Sequence, residues 1–349
     1  MLYFITLRHL CTDILNPKTI LISRTDSIGD VVLTLPMAKA LKNNFPGVKT
    51  GFIASHYTKP IIDACEYIDF FVDKKTFLEE KPTEAIQADT IIHVFPVQEI
   101  ALRAKELMIG RRIGTTNRLF HWYTCNKLVK LSRKNSLLHE AQLNLKLLKG
   151  LTIESDYSKE EIPALFGLTN LKPLNNHLRT FLKTDRLNVI FHPKSQGSAR
   201  EWGIENFATL ASLLPKEKYN ILVSGTEKER TSLQPMFDLA GDSVTDITGL
   251  MNLDQFISFI NESDGLVANS TGPLHIAAAL GKFALGIYPP IRPMHPGRWA
   301  PLGSNSEVFM LNRDCSVCRN NASSCSCIKA VSPIAIADSL ERAFHAKFQ

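Results

Sequence analysis

A carboxylate at a helix N-terminus, just after an apolar strand, is the first group in this chain placed to do chemistry. Ser27-Ile28-Gly29-Asp30 follows the run Thr19-Ile20-Leu21-Ile22-Ser23-Arg24, and Val31–Asn43 carries Leu33, Met37, Ala40 and Leu41 at helical spacing. A strand, a short turn at Gly29 and a helix make the opening βα unit of a doubly wound sheet. The turns at the carboxyl edge of such sheets are where ligands bind. Asp30 is thus placed to act as a base. The same residue could equally do no more than cap its helix.

A second chemical feature is Asn269-Ser270-Thr271-Gly272-Pro273-Leu274-His275, which follows a strand and opens the helix through Gly281. Ser270 or Thr271 can cap, Pro273 suits the first turn, and Gly272 lets a ligand approach the backbone. Free amides and the positive helix end there suit a diphosphate, with His275 one turn in as a further donor. A plainly capped helix with an incidental histidine explains the same residues. Two other loops leave the same kind of strand end. His192 to Trp202 holds Ser195, for a phosphate oxygen, and Arg200, to neutralise a leaving diphosphate. Ser224-Gly225-Thr226-Glu227 offers Glu227 to ribose hydroxyls.

The elements that would position these groups are two βα series. Strands are expected at 19–24, 48–54, 69–72 and 89–95, with a longer helix at about 137–148. Strands at 187–191, 219–224, 244–247, 264–268 and 283–287 follow, alternating with helices at 204–214, 227–240, 253–261 and 272–280. Residues 151–186 lose periodicity and gain Pro163, Pro173, Asn175 and Asn176, as a connection would. The expected domains are 1–170 and 171–349, with a last helix at about 333–346 packing back across the molecule onto the first. The architecture is α/β, two Rossmann-like domains facing across a cleft.

The totals narrow the function. The chain has 349 residues, 44% hydrophobic and 21% charged, with a net charge of +6. Between Glu99 and Gly150 eleven basic residues, among them Arg118, face three acidic ones, which suits an anionic substrate or membrane surface or is simply a solvated face. That stretch lacks interleaved aromatics and a known motif, so nucleic acid is excluded. No run reaches the ~20 apolar residues of a membrane span. Met1–Leu7 is too short for an export signal and reads as a packed extension, so a cytoplasmic protein is expected. There is no Gly-x-Gly-x-x-Gly for a nicotinamide cofactor and no Asp-x-Asp for a metal on a diphosphate. Cys11, Cys65 and Cys125 read as core residues, whereas Cys315, Cys318, Cys325 and Cys327 form a late cluster. That cluster is either a zinc site or, given the poor Cys-x-Cys half-site, a loop of thiols.

The stretch from Thr19 through Phe45-Pro46-Gly47, with its Ser-Ile-Gly-Asp, resembles the opening of the ADP-heptose:lipopolysaccharide heptosyltransferases, glycosyltransferase family 9. Asn269–Gly281 is similar to that family's nucleotide-binding signature. Arg200-Glu201-Trp202, Gly225-Thr226-Glu227 and Thr248-Gly249-Leu250-Met251 fall between them in the family's order, and the late cysteines recur in many members. The resemblance implies a GT-B fold and an inverting, metal-independent transfer without a cofactor. Asp30 would be the base, with Arg24, Gly29 and Arg118 toward the acceptor. Ser195, Arg200, Glu227, Met251, Ser270, Thr271, Gly272 and His275 would hold the ADP-sugar, ADP-heptose by analogy. The implied acceptor is a lipid-anchored anionic saccharide, met at the inner face of the cytoplasmic membrane. Ser270 departs from the aspartate, and Arg200 from the lysine, that the family often carries. A nucleotide-sugar epimerase of similar fold and a non-catalytic nucleotide-sugar binder are the alternatives.

Overall fold

The structure, a computed structural model, describes residues 16–79, 87–134, 136–291, 294–313 and 325–348. Met1–Leu7, Cys11, Cys315 and Cys318 lie outside them. The chain forms two compact units, divided between Asn170 and Leu171.

In the first unit β1 (Thr19–Ser23), β2 (Lys49–Ala54), β3 (Phe70–Asp73), β4 (Thr90–His93), β5 (Arg111–Thr115) and β6 (Lys127–Val129) form a parallel sheet in the order β3-β2-β1-β4-β5-β6. The second unit repeats this order with β7 (Leu187–His192), β8 (Tyr219–Val223), β9 (Thr245–Asp246), β10 (Gly265–Asn269), β11 (Phe283–Ile287) and β12 (Ser306–Phe309). Its sheet runs β12-β11-β10-β7-β8-β9, also parallel throughout. Both sheets therefore reverse direction between their first and fourth strands, the point where doubly wound folds open a ligand crevice. Ile20, Leu21 and Ile22 of β1 and Val189, Ile190 and Phe191 of β7 are all buried, as strands covered on both faces must be.

The helices that bear on the sites are α1 (Ile28–Val32), α2 (Pro36–Asn44), α3 (Gln98–Glu106), α4 (His121–Thr124) and α5 (Glu140–Leu145) in the first unit. The second contributes α6 (Ile204–Leu213), α7 (Arg230–Ala240), α8 (Leu253–Glu262), α9 (Gly272–Ala279) and α10 (Pro333–Phe348). The single helix expected over 31–43 is two. Pro36 has no N–H to continue the ladder, so α1 ends and α2 restarts on it. The helix expected at 137–148 shortens to α5 followed by a 3-10 segment from Lys146 to Leu151.

Residues 151–186 are not a free connection. Ile162, Leu165 and Phe166 are buried, and Gly167 accepts the Glu66 amide at 2.9 Å, which fastens the stretch to the first unit. From Leu171 the chain is fastened to the second unit, where Arg179 makes a two-pronged pair with Glu262 at 2.9 and 2.7 Å. The last helix buries Ile336, Leu340 and Ala343 in the second unit's own core. Among the described residues no helix is long and apolar enough to cross a membrane.

Candidate active site

Asp30 occupies the third position of α1, and the cap of that helix is Ser27, whose side chain makes no capping bond. The Ser27 hydroxyl instead donates to Asp30 Oδ2 at 2.5 Å. The other carboxylate oxygen of Asp30 pairs with Arg24 Nη2. Asp30 thus turns away from its own helix amides and toward the end of β1.

Arg24 organises what lies there. Expected to face an acceptor, its side chain is only 4% exposed, and its nitrogens are engaged within the first unit. Nε donates to Asp26 at 2.7 Å, and Nη1 donates to Glu140 at 3.0 Å and to Asn144 at 3.2 Å. Arg133 approaches the same pair, with Nε 3.0 Å from Glu140 and Nη2 2.9 Å from Asn144. Three carboxylates therefore share two guanidinium groups, mostly out of water. Burial works against the charge on Arg24, but Asp30, Asp26 and Glu140 outweigh it and hold its pKa above the ordinary value. Asp26 moves the other way. Burial pushes its carboxyl up to about 6, against the pull of Arg24 and with the help of Asp30's charge.

The cluster is tied to the backbone through Asn144. Its Nδ2 donates to the Leu33 carbonyl at 3.0 Å and to the Thr34 hydroxyl at 3.1 Å, at the break that Pro36 forces between α1 and α2. Its oxygen accepts from both arginines. The start of α5 is set by a reciprocal cap in which His139 accepts the Ala141 amide and Gln142 accepts the His139 amide. Glu140 is thereby held at the first turn, fully buried. Gly29 is buried inside α1. Arg118 is exposed on the loop after β5, outside the cluster.

Beside this edge His93 ends β4, in register with Ser23. Its ring centroid lies 5.7 Å from that of His121. Neither ring nitrogen of His93 meets a hydrogen-bond partner. Burial, with nearby His121 and Arg112 adding to it, pushes its pKa down to about 3. Unfolded, the same imidazole titrates near ~6.5. Between those values the unfolded chain binds a proton that the folded one refuses, so stability contributed by the neutral ring is full above pH 6.5 and falls as pH drops. Asp26 acts in the opposite sense between about 4 and 6, because there the folded state holds the extra proton. The informative quantity is therefore the difference between wild type and His93→Leu. From pH 7 to pH 5 wild type should lose on the order of 2 kcal/mol relative to the variant in denaturant melts. Parallel pH dependences would contradict the buried neutral ring.

In the second unit the loops after β7, β8, β9 and β10 are laced together. Asn269, buried at the end of β10, donates to the Pro193 carbonyl at 2.7 Å and accepts the Trp202 amide at 2.9 Å. It binds the two loops on either side of the reversal point. His192 and Ser224 join the β7 and β8 loops at 2.9 Å. Arg230 then reaches Thr248 Oγ1 at 2.8 Å and Asp246 at 3.3 Å, joining the β8 and β9 loops.

Every residue expected to hold a nucleotide sugar sits on these four loops or in the first turns of α9. Thr271 caps α9 by position but not by bond, and its hydroxyl is buried without a partner. The first amides of α9 thus lack a side-chain cap of their own, an arrangement that suits an anion. Gly272 and Pro273 form the first turn, and His275 is buried one turn further. Ser270 lies next to the buried Tyr288 hydroxyl, which also donates to the Trp299 carbonyl at 2.5 Å. Ser195 turns its hydroxyl inward, to the Ala199 carbonyl at 3.0 Å and Glu201 at 3.1 Å, so it shapes the loop. Lys194 pairs with the other oxygen of Glu201 at 2.7 Å, and Arg200 is half-buried beside them. Glu227 is mostly exposed beside Arg230. It lies over Gly249, whose φ of +71° and lack of a Cβ make room for it. Met251 follows two residues later.

Asn269, Lys194, Glu201 and Arg230 are the structural supports that sequence reading passes over. Only the position of Asn269 at a strand end hints at its role. Of the late cysteines, Cys325 and Cys327 are free and buried in the second core, where Arg313 donates to the Cys327 sulfur at 3.0 Å. The other two fall outside the described residues.

Comparison with known proteins places these loops in a lineage. The sequence model of glycosyltransferase family 9 (heptosyltransferase) matches residues 101–329. The lipopolysaccharide core heptosyltransferase OpsX of Haemophilus influenzae is 21% identical over 312 residues, spanning 85% of this chain and 86% of that one. A family 9 glycosyl transferase from Veillonella parvula superposes with a TM-score of 0.75 at 17% identity, over 95% of this chain and 98% of that one. The ADP-heptose LPS heptosyltransferase II of Escherichia coli gives 0.72 at 17% identity, over 95% and 100%.

Proposed function

The chain belongs to glycosyltransferase family 9, and from that premise we propose that it moves heptose, or a related sugar, from an ADP-sugar to an acceptor of lipopolysaccharide core type. The fold is GT-B, built from two Rossmann-like domains. The donor belongs to the second domain and the acceptor to the first. The observation that carries the donor assignment is the start of α9, an uncapped helix end at the reversal point with a buried, unpartnered Thr271 hydroxyl.

In the proposed reaction Asp30 takes the proton of the attacking acceptor hydroxyl as its oxygen bonds to the anomeric carbon. The bond from that carbon to the diphosphate breaks on the opposite face, the electron pair leaves with ADP, and the configuration inverts. Arg200, His275 and the first amides of α9 stabilise the departing charge without a metal. Glu227 and Met251 flank the nucleoside, and Ser270 with Tyr288 borders the sugar. Arg24 acts on the acceptor through Asp30, which it holds, while Arg118 is the exposed cation for an anionic acceptor group.

The test is a thermal-shift series with ADP, UDP, GDP and CDP, with and without EDTA, followed by transfer assays. ADP at 100 times its dissociation constant should stabilise by about 2.7 kcal/mol, unaffected by EDTA. Preference for another nucleotide would overturn the ADP assignment, and loss of the shift in EDTA would overturn metal independence. Turnover of donor with no acceptor present would point to an epimerase instead.

A further inference from the structure

The loop after β5 carries an apolar tip that its own unit does not cover. Leu119 is 87% exposed, Trp122 62% and Tyr123 52%, all within the six residues that run into and through α4. Single exposed hydrophobic residues are ordinary, but a contiguous group with two aromatic rings is not. Each ring is tethered to its own unit by a hydrogen bond. Trp122 Nε1 donates to the Thr116 carbonyl at 3.0 Å, and the Tyr123 hydroxyl accepts from Gln98 of α3 at 3.2 Å. Both rings are therefore exposed while held in place by these bonds. Cations frame it. Arg118 adjoins Leu119 in the chain and is exposed, and Lys105 of α3 is tied to the Tyr123 carbonyl at 2.9 Å. Of the two acidic residues of α3, Glu106 is paired with Arg103 at 3.3 Å, which leaves Glu99 as the opposing charge.

Exposed, tethered aromatic rings, an adjacent leucine and flanking lysine or arginine are the chemistry of a surface that rests in the headgroup region of an anionic bilayer. We propose that the tip formed by Leu119, Trp122 and Tyr123, with Arg118 and Lys105, docks the first domain on an anionic phospholipid surface. The inference deepens the proposed function and rests on its lipid-anchored acceptor. It adds a geometric reason of its own. The β5 loop leaves the same carboxyl edge of the same sheet as the Asp30 turn, two strands away. Phe95, on the loop after the intervening β4, packs its ring 5.9 Å from the Arg24 guanidinium. Docking by this tip therefore places the membrane at the Asp30 end of the domain.

The experiment is co-sedimentation of the full chain with vesicles of phosphatidylglycerol or of phosphatidylcholine alone, without donor or acceptor. Wild type should bind the anionic vesicles and not the neutral ones. The double variant Leu119→Ser/Trp122→Ser should bind at least about tenfold more weakly at all salt concentrations. Lys105→Ala should lose about fivefold at low salt and less at high salt. Both variants should keep the wild-type melting temperature and its shift by ADP, which separates lost docking from lost folding. Undiminished binding by the double variant would overturn the proposal. So would absence of wild-type binding to anionic vesicles, or a wild-type dimer that the double variant dissolves, since the tip would then face a second copy. Because no sugar transfer is read, failure of the transferase assignment would leave vesicle binding intact.

Discussion

Asp30→Asn is expected to lower kcat by about 10²–10⁴-fold while ADP still binds with affinity within about twofold of wild type. The argument rests on what the substitution leaves in place. Asparagine keeps the shape of the side chain and an oxygen for Arg24, and Arg24 retains Asp26, Glu140 and Asn144. The domain therefore keeps its fold, and only the capacity to accept a proton goes. The loops proposed to hold the nucleotide lie in the other unit. Single-turnover rates with saturating donor, set beside the thermal shift by ADP, read the two effects separately. A variant retaining more than a tenth of the wild-type rate would return Asp30 to a structural role.

The largest effect on stability is expected at Arg24. In Arg24→Met the methionine fills part of the volume, but Asp26, Asp30 and Glu140 lose the guanidinium they share, and Arg133 remains beside Glu140. Removing one partner from a buried ionic network costs about 3–5 kcal/mol, because charge stays behind in a place with little water. For a unit of this size that is a fall in melting temperature on the order of 10 °C. Arg24→Lys should fall between, since one ammonium cannot span the Asp26, Asp30 and Glu140 directions that the planar guanidinium serves together. A methionine variant melting within 2 °C (about 1 kcal/mol) of wild type would show that the cluster is solvated and its bonds exchangeable.

Much of the second unit is legible in the sequence. Its strands are built on apolar runs such as Val189–Phe191, and its helices, such as Leu253–Glu262, carry strong one-sided patterning between polar turns. The first unit is harder. β5 and β6 open on Arg111-Arg112 and on Lys127, and charge at the start of a short strand hides its alternation. Pro36 splits a helix whose apolar spacing runs through the break, because spacing registers which face is buried and not whether an amide exists. The site shows the same division. The residues of the loops are visible as local motifs, whereas their supports depend on partners far along the chain. Nothing near Arg24 indicates Glu140, and nothing near Trp202 indicates Asn269, 67 positions on. Ser195 is the instructive case. Its type and place suit a phosphate, yet a carboxylate six residues later takes its hydroxyl.

The bridge from Arg24 to Glu140 and Asn144 has a consequence in time as well as in space. Its ends are 116 and 120 residues apart. A ribosome adding about 5–20 residues per second needs on the order of ten seconds to make that span. Throughout that interval the β1 turn exists on the nascent chain with its arginine and its aspartates, but without the glutamate and the amide that fix their directions. Contacts of such long sequence separation form late, since the loop must close before they reward it. The scaffold around Asp30 is thus begun more than a hundred residues before the partners that set it are made. A chain released before α5 would carry the whole Ser-Ile-Gly-Asp turn and still lack the means to hold it.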